Sequence, residues 1–334
     1  MTTNPQKRSE MLVYRIQLLF ITLLGEIFKV LIDTHILRPN KIPQYEHSTG
    51  KPNVILSLTT YGRRVHNVHY TIISLLRQTY RPDAIILWLD EDNWNDSILP
   101  DKLRKLKSLG LTVKYCKDIK SYKKLIPALL EYPESIIVTC DDDIYYRKNM
   151  LARLMAAHEK WPNHVIAHRA HQITFNDNGE LNEYNMWPQE ISNKKGLNIF
   201  PTSGGGTLYK KEFFHPDVCK VELIMRLCPK ADDIWNYFMG ALNNTENVVL
   251  PYNGYIYLPL DVFYQTLHKG SSLSDINCSE NFNDVQIKAI MSYYGLRVRN
   301  CKFERVENTP PHWRCKIIVL TRNAGGLLVE RRAA

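Results

Sequence analysis

The sequence contains no apolar run long enough to cross a bilayer as a helix. In its apolar N-terminal region the longest uncharged stretch is Ile16 to Gly25, whereas a transmembrane helix needs about 20 apolar residues. No small-residue cleavage site follows a short apolar core there, so we expect no secretory signal peptide.

The sequence also lacks the cysteine pattern of a zinc site. It has seven cysteines, an odd number, and no two of them have Cys-x-x-Cys spacing. Several lie among apolar residues, where a free thiol packs as a small hydrophobic group. We therefore expect a reducing, cytoplasmic compartment.

Long basic tracts are absent, although the chain carries a net charge of +9. Its lysines and arginines are spread out, and no basic stripe is interleaved with aromatic residues. A positive charge of this kind suits an anionic membrane surface or a negatively charged substrate. Nucleic acid is not expected as a partner.

The most informative segment of the chain places three carboxylates directly after a short apolar run. Ile136 to Cys140 is typical of a buried strand, and Asp141, Asp142 and Asp143 follow it. Ligands of open α/β sheets bind beyond the carboxyl ends of the strands. Hard oxygen ligands there suit Mg²⁺ or Mn²⁺ shared with a substrate phosphate. The alternative is an acidic turn that caps the next helix.

Strands and helices alternate through the first half of the chain, which predicts βαβ units and a mainly parallel sheet. The predicted strands are 53–58, 84–89, 111–115, 136–140 and 165–168. The predicted helices are 68–78, 101–109, 123–131, 148–161, 232–242 and 281–294. Residues 176–200 are polar and predicted to be loop.

We expect one α/β domain over residues 46–322, with a nucleotide-binding half at 46–143 and an acceptor-binding half at 144–322. Residues 1–45 are predicted to be an N-terminal amphipathic helix and linker, and residues 323–334 a disordered tail. The helix, over residues 11–37, is rich in Leu, Ile and Phe but is interrupted by charges. It either lies in a membrane interface or packs on the core of the protein.

Several short motifs, in a fixed order, together resemble the nucleotide-sugar glycosyltransferases of the GT-A fold, and bacterial surface-polysaccharide enzymes in particular. The resemblance covers about residues 53–295. It depends on these segments: Leu58-Thr-Thr-Tyr-Gly-Arg-Arg64, Ser74-Leu-Leu-Arg-Gln-Thr79, Ser121-Tyr-Lys-Lys-Leu125, Thr139-Cys-Asp-Asp-Asp143, Ser203-Gly-Gly-Gly206 and Ala231-Asp-Asp-Ile-Trp235.

The resemblance implies that Asp141 and Asp143 hold the divalent metal that bridges the diphosphate of the donor. Carboxylates at i and i+2 of an extended segment project to the same side, so Asp142 is expected to point elsewhere, toward the ribose or a basic side chain. His268 matches a late metal or diphosphate ligand of some members, with a surface-loop histidine as the alternative.

The same resemblance assigns the nucleotide pocket. Thr59, Tyr61 and Arg63 follow the first strand, where the family lines that pocket. Asp90, or failing that Asp92, matches an acidic position near the base, with a strand-ending turn as the alternative reading of Asp90. Lys123 or Lys124 is expected to contact the diphosphate or the base, unless both are ordinary surface lysines.

The aspartates at the start of the predicted helix 232–242 match the catalytic base of inverting members. We expect Asp233 to remove the proton of the acceptor hydroxyl, and Asp232 to cap the helix or bind the acceptor sugar. The glycines at 204–206 are expected to allow a sugar to approach the backbone closely, with a plain turn as the alternative.

The sequence therefore predicts a metal-dependent, inverting glycosyltransferase that uses a nucleotide sugar, with UDP the favoured nucleotide. A glycan or lipid-linked saccharide is the expected acceptor, at the inner face of the cell membrane. One alternative is a sugar nucleotidyltransferase, although residues 57–64 contain a single glycine where that class has a glycine-rich loop. The other is a non-catalytic glycan-binding protein on the same fold.

Overall fold

The structure is a computed structural model of the 334-residue chain. It describes residues 20–36 except 21, 28 and 31, then residues 53–251, 257–260 and 281–299, and three short strands at 302–305, 320–322 and 328–330. Among these residues, no helix has the length and apolar character needed to cross a membrane.

The first four strands form the parallel part of an eight-stranded sheet. They are β1 (Val54–Thr59), β2 (Ala84–Asp90), β3 (Leu111–Cys116) and β4 (Ile136–Cys140). Their spatial order is β3-β2-β1-β4, and β1 pairs in parallel with both β2 and β4. The strand order therefore reverses between β1 and β4, which is where open α/β sheets bind their ligands.

The strands of the second half are short and mixed in direction. In chain order they are β5 (Ile144–Tyr146), β6 (Val165–Ala167), β7 (Ala170–Gln172), β8 (Lys194–Gly196), β9 (Ile199–Pro201), β10 (Thr207–Tyr209), β11 (Asn247–Val249) and β12 (Tyr257–Pro259). The sheet continues from β4 through β10, β6 and β11 to β8. In this part β10 is antiparallel to both of its neighbours, whereas β6 and β11 are parallel.

Four two-stranded sheets complete the strands in the described residues. The strand β5 pairs with β12, and β7 pairs with β9. Near the end of the chain, β13 (Leu296–Arg299) pairs with β14 (Lys302–Arg305), and β15 (Leu320–Arg322) pairs with β16 (Leu328–Glu330). The last strand lies inside the segment that the sequence predicts to be a disordered tail.

The described residues between 20 and 30 are helical and are followed by a π-helical turn, Ile32–Ile36. After β1, seven α-helices accompany the sheet in the described residues. They are α1 (Val68–Leu76), α2 (Asp101–Lys107), α3 (Ile126–Glu131), α4 (Met150–Lys160), α5 (Val221–Leu227), α6 (Asp232–Leu242) and α7 (Phe282–Tyr294). The helix expected over 123–131 is divided: a 3₁₀ turn, Lys120–Lys124, precedes α3, whose first turn contains a proline.

A single large apolar cluster packs both halves of the sheet against the helices. It extends along the sequence from β1 to α7 and includes fully buried Leu56, Ile72, Val138 and Trp235. Burial of these side chains stabilises the fold by roughly 1.5–3 kcal/mol each. The core fixes β1 and β4 side by side, so the segments that follow them meet at one edge of the sheet.

Candidate active site

The segment after β1 contacts the acidic turn after β4 directly. The guanidinium of Arg64 donates to Asp142 Oδ1 over 2.9 Å, and its other terminal nitrogen lies 3.2 Å from Asp143 Oδ2. The hydroxyl of Thr60 donates to Asp142 Oδ2. Asp142, whose side chain is 8% exposed, is therefore held by the protein itself and does not face an open site.

Residues 141–143 form a turn between β4 and β5 and not the extended segment assumed from the sequence. Asp142 and Asp143 share Arg64, whereas Asp141 is bound by Lys124, whose Nζ donates to Asp141 Oδ1 over 2.8 Å. Burial alone would raise the pKa of Asp141, but the charge and hydrogen bond of Lys124, together with the charges of Arg64 and Arg169, outweigh burial and lower it. Asp141 therefore stays ionised.

The glycine-rich turn, Ser203–Gly205, packs against the same carboxylate. A Cβ on Gly204 would lie 3.1 Å from Asp141 Oδ2 and 3.4 Å from a terminal nitrogen of Arg169, and one on Gly205 would lie 2.9 Å from Arg169 Cβ. The hydroxyl of Tyr146 accepts a hydrogen bond from the Asp141 amide and donates one to the Gly204 carbonyl. The glycines thus allow the backbone to approach Asp141 and Arg169.

The second pair of carboxylates lies at the start of α6. The N-cap residue of this helix is Ala231, and no side chain caps it, so the expected capping role of Asp232 is wrong. Asp233 Oδ1 accepts two hydrogen bonds from Ser203, one from the amide at 3.1 Å and one from the hydroxyl at 2.5 Å. Asp232 instead lies beside Lys124, with Oδ2 and Nζ 3.0 Å apart.

Lys124 therefore joins the two carboxylate clusters. Its ammonium lies between Asp141 at the end of β4 and Asp232 at the start of α6, and its side chain is 8% exposed. Ser57 of β1 donates a hydrogen bond to the Lys124 carbonyl and accepts one from the Trp88 indole of β2. The backbone of Lys124 is thus attached to the central strands, which fixes the position of its ammonium.

Burial and neighbouring charges shift the pKa values of Lys124 and Asp233. Burial would lower the pKa of Lys124, but three surrounding aspartates raise it well above its usual value, so it stays protonated. Burial and the neighbouring charge of Asp232 raise the pKa of Asp233 to about 7, although Lys124 acts in the opposite direction. A carboxylate with a pKa near neutrality is suited to accept a proton.

The residues expected to bind the nucleotide lie along the neighbouring strand ends. Tyr61, directly after β1, is 74% exposed, and Arg63 is also exposed. The Thr59 hydroxyl donates to the Trp88 carbonyl over 2.8 Å. This edge therefore presents an aromatic ring and a cation to solvent beside the acidic turn.

Asp90 and Lys123 are buried at the end of β2. Asp90 Oδ1 accepts hydrogen bonds from the amide and the side chain of Asn93, which is the arrangement of a strand-ending turn. Lys123 Nζ donates to Asp118 and lies 4.0 Å from Asp90 Oδ2. Asp92 is exposed. Neither lysine is a surface residue, because Lys123 is 1% and Lys124 6% exposed.

The acidic turn fits a divalent metal that is completed by substrate oxygens. Asp141 and Asp143 supply hard oxygen ligands, and their side chains are 34% and 19% exposed. Across the described part of the chain, no three His, Cys, Asp or Glu side chains are grouped to hold a metal on their own. Mg²⁺ is commonly bound by one or two carboxylates together with phosphates. His268 lies outside the described residues.

Sequence reasoning missed three residues of this site. Arg64 stands beside Arg63 in the first motif, and its pairing with the acidic turn could have been inferred from the reversal of strand order. Ser203 stands beside the glycines, but only the fold brings it to Asp233. Arg169 lies outside every motif, and no local signal identifies it.

Comparison with known proteins assigns the class. The model of glycosyl transferase family 2 matches residues 57–216, a stretch that contains Arg64, Lys124, the acidic turn and the glycine-rich turn. The chain is therefore a glycosyltransferase, and its large, mainly parallel sheet flanked by helices is that of the GT-A fold. Asp232 and Asp233 lie beyond the matched stretch.

Solved structures of TarS from S. aureus are similar to this chain at a distance. The structure of TarS 1–349 in complex with UDP shares 14% identity, covers 72% of each chain and has a TM-score of 0.41. The structure of TarS 1–349 in complex with UDP-GlcNAc shares 15% identity over 61% of this chain and 57% of that chain, with a TM-score of 0.41. No curated protein matches the sequence.

Proposed function

We propose that this glycosyltransferase is metal-dependent and inverting, and that it transfers a hexose from a nucleotide donor to a glycan or lipid-linked saccharide during surface polysaccharide biosynthesis. The observation that carries the proposal is the pair of carboxylate clusters joined by Lys124. One cluster contains Asp141, which is partly accessible and kept ionised, as a site for a metal and a diphosphate requires. The other contains a carboxylate with a pKa of about 7.

The donor nucleotide is proposed to bind where the strand order reverses between β1 and β4. Tyr61 would stack on the base, Arg63 would contact the phosphates and Thr59 would line the pocket. UDP is the favoured nucleotide, with Asp90 or Asp92 near the base. The burial of Lys123 and Lys124 supports roles in positioning carboxylates more than direct contact with the donor.

Asp141 and Asp143 would hold the metal, Mn²⁺ or Mg²⁺, which when bound supplies positive charge that stabilises the departing diphosphate. Arg64 and Arg169 add fixed positive charge beside the same turn. Such preorganised charge favours cleavage of the sugar–phosphate bond, because negative charge grows on the diphosphate as that bond breaks.

Asp233 would act as the base. It would take the proton of an acceptor hydroxyl while the hydroxyl oxygen bonds to the anomeric carbon and the bond from that carbon to the diphosphate breaks. Attack on the face opposite the leaving group inverts the anomeric configuration. The two hydrogen bonds from Ser203 hold the carboxylate of Asp233 in one orientation, which a positioned base requires.

The acceptor is proposed to enter from the side of residues 144–322, to which α6 belongs. We place the reaction at the cytoplasmic face of the cell membrane, where lipid-linked saccharides are accessible. The net charge of +9 is consistent with an anionic surface nearby.

Release of nucleoside diphosphate from a panel of nucleotide sugars, with Mn²⁺, with Mg²⁺ and with excess chelator, tests this function. We expect metal-dependent release from one donor, enhanced by the correct acceptor, and a product of inverted configuration. Release of pyrophosphate would indicate a nucleotidyltransferase. Glycan binding without turnover of any donor would indicate a non-catalytic protein.

A further inference from the structure

An exposed apolar stripe runs along the helical segment that precedes the catalytic domain. Phe20, Leu23, Leu24, Ile27 and Val30 are 62, 59, 40, 46 and 61% exposed. Their spacing of three and four residues places them on one face of a helix. The other large apolar side chains that are exposed in the described residues lie singly along the sequence, so among those residues only this segment groups several of them on one helix face.

The segment that carries the stripe is attached to the domain by residues outside the stripe. Ile32 is fully buried in the core. Asp33 accepts a hydrogen bond from the Tyr70 hydroxyl of α1 at 2.7 Å and one from the Lys102 ammonium of α2 at 2.9 Å. A Cβ on Gly25 would lie 3.4 Å from the Pro259 carbonyl. The domain therefore packs against other positions of the segment and leaves the stripe exposed.

The sequence around the stripe has a net positive charge. Residues 1–41 contain six lysines and arginines against three acidic residues, and the whole chain carries +9. An apolar helix face with basic flanks is suited to the interface of an anionic bilayer, where apolar side chains enter the acyl boundary and cations meet the headgroups. A second copy of the chain would also carry a net charge of +9, so electrostatic repulsion between the two copies disfavours self-association.

We propose that the stripe formed by Phe20, Leu23, Leu24, Ile27 and Val30 docks the enzyme on an anionic lipid surface. The helical segment lies in the plane of the interface, and the contacts of Asp33 with α1 and α2 hold the catalytic domain against it. This role concerns residues that are separate from the carboxylate clusters, and it does not depend on the proposed transfer reaction.

Co-sedimentation of the full-length protein with lipid vesicles tests the docking. We expect binding to vesicles of phosphatidylcholine with phosphatidylglycerol, weaker binding to phosphatidylcholine alone, and partial release as salt is raised. The double variant L23S/I27S should bind roughly tenfold more weakly or worse, because two apolar side chains are removed from the interface. Leu130 and Met186, which are 56% and 64% exposed elsewhere, supply the matched control L130S/M186S.

The outcomes of these experiments distinguish a lipid surface from a second copy of the chain as the partner of the stripe. Equal losses of vesicle binding in L23S/I27S and in the control L130S/M186S would overturn the proposal. Equal binding of the wild type to neutral and anionic vesicles would also overturn it. So would a dimer in sedimentation velocity that L23S/I27S abolishes, without vesicle binding by the wild type. Vesicle binding is measured without substrate, and donor hydrolysis by L23S/I27S should equal that of the wild type, so failure of the docking is distinguishable from failure of the proposed function.

Discussion

The two carboxylate clusters of the site use the same residue type and acquire opposite properties. At the end of β4, Asp141 faces Lys124, whose charge lowers its pKa. At the start of α6, burial and the neighbouring carboxylate of Asp232 raise the pKa of Asp233 to about 7, although the hydrogen bond from the Ser203 hydroxyl and the charge of Lys124 oppose the rise. Burial raises the pKa of both carboxylates, so the charges beside each one determine whether it is a permanent anion or a group able to take up a proton.

The two clusters are suited to different chemical roles. A permanent anion can hold a cation at any physiological pH but is a weak base. A carboxylate with a pKa near 7 is a stronger base but is partly protonated at neutral pH. Lys124 touches one member of each cluster, so it both keeps Asp141 ionised and limits the rise in the pKa of Asp233.

The largest effect is expected from Asp143→Asn, which changes one of the two proposed metal ligands of the acidic turn. Loss of a metal ligand removes stabilisation of the leaving diphosphate, and turnover should fall by roughly a thousandfold or more. Nucleoside diphosphate release at ordinary Mn²⁺ or Mg²⁺ measures it, and circular dichroism verifies the fold. The control Asp101→Asn changes an aspartate with an 82% exposed side chain. Full activity of Asp143→Asn, or of the wild type in excess chelator, would disprove metal dependence.

The second-largest effect is expected from replacement of Asp233, the proposed base. Asp233→Asn should lower kcat by roughly a hundredfold or more, the usual scale for loss of a general base, whereas the Kd of the donor stays near that of the wild type. Asp232→Asn should reduce kcat less, because the side chain of Asp232 supports Lys124. Equilibrium donor binding and single-turnover rates separate the two effects. If Asp232→Asn is inactive and Asp233→Asn is not, the roles are reversed.

A smaller effect, with a distinctive pH signature, is expected from Lys124→Met. In the wild type kcat should rise with pH and level off above about 7, because Asp233 must be ionised to act. Without the charge of Lys124 the pKa of Asp233 should rise further, so the rise in kcat moves to higher pH and kcat at pH 7 falls by roughly tenfold. The control Lys114→Met removes a lysine that pairs with Glu131 outside the site. An unshifted profile would contradict the role of Lys124.

The first half of the fold could be predicted from the sequence because its signals are local and strong. Strands β1 to β4 lie where they were predicted, the apolar runs of β1, β2 and β4 are mostly buried, and β4 has the predicted bounds. The strands of residues 144–250 are three residues long, too short for a periodic pattern. The segment 176–200, predicted to be loop, contains β8 and the start of β9. These two strands form through pairing with β11 and β7, which are separated from them in the sequence.

The residues of the candidate site also divide into those with a local sequence signal and those without one. The sequence identified the acidic turn and the aspartates of α6 because adjacent carboxylates are conspicuous. The surface-residue alternative for Lys124 is wrong, because the fold buries its side chain. Arg169 was missed, because its contacts with Gly204 and Gly205 join residues that are distant in the sequence. A lysine in the first turn of a predicted helix has the sequence pattern of a surface lysine, and only the fold buries it.

The smallest effect is on stability, and it should have opposite signs in the two clusters. The folded pKa of Asp233 is raised, so its ionised form is disfavoured in the fold. Asp233→Asn should therefore raise the melting temperature by a few degrees at pH 8, and the gain should vanish as pH falls through 7 toward the unfolded value near 4.

The folded pKa of Asp141 is lowered, so its ionised form stabilises the fold above the unfolded pKa and the stabilisation is lost as pH falls through the folded value. Asp141→Asn leaves Lys124 short of a partner and should cost about 2 kcal/mol at pH 8. Thermal melts of both variants at pH 8 and pH 5 measure the contrast, and shifts of the same sign at pH 8 would show that the two clusters do not differ as described.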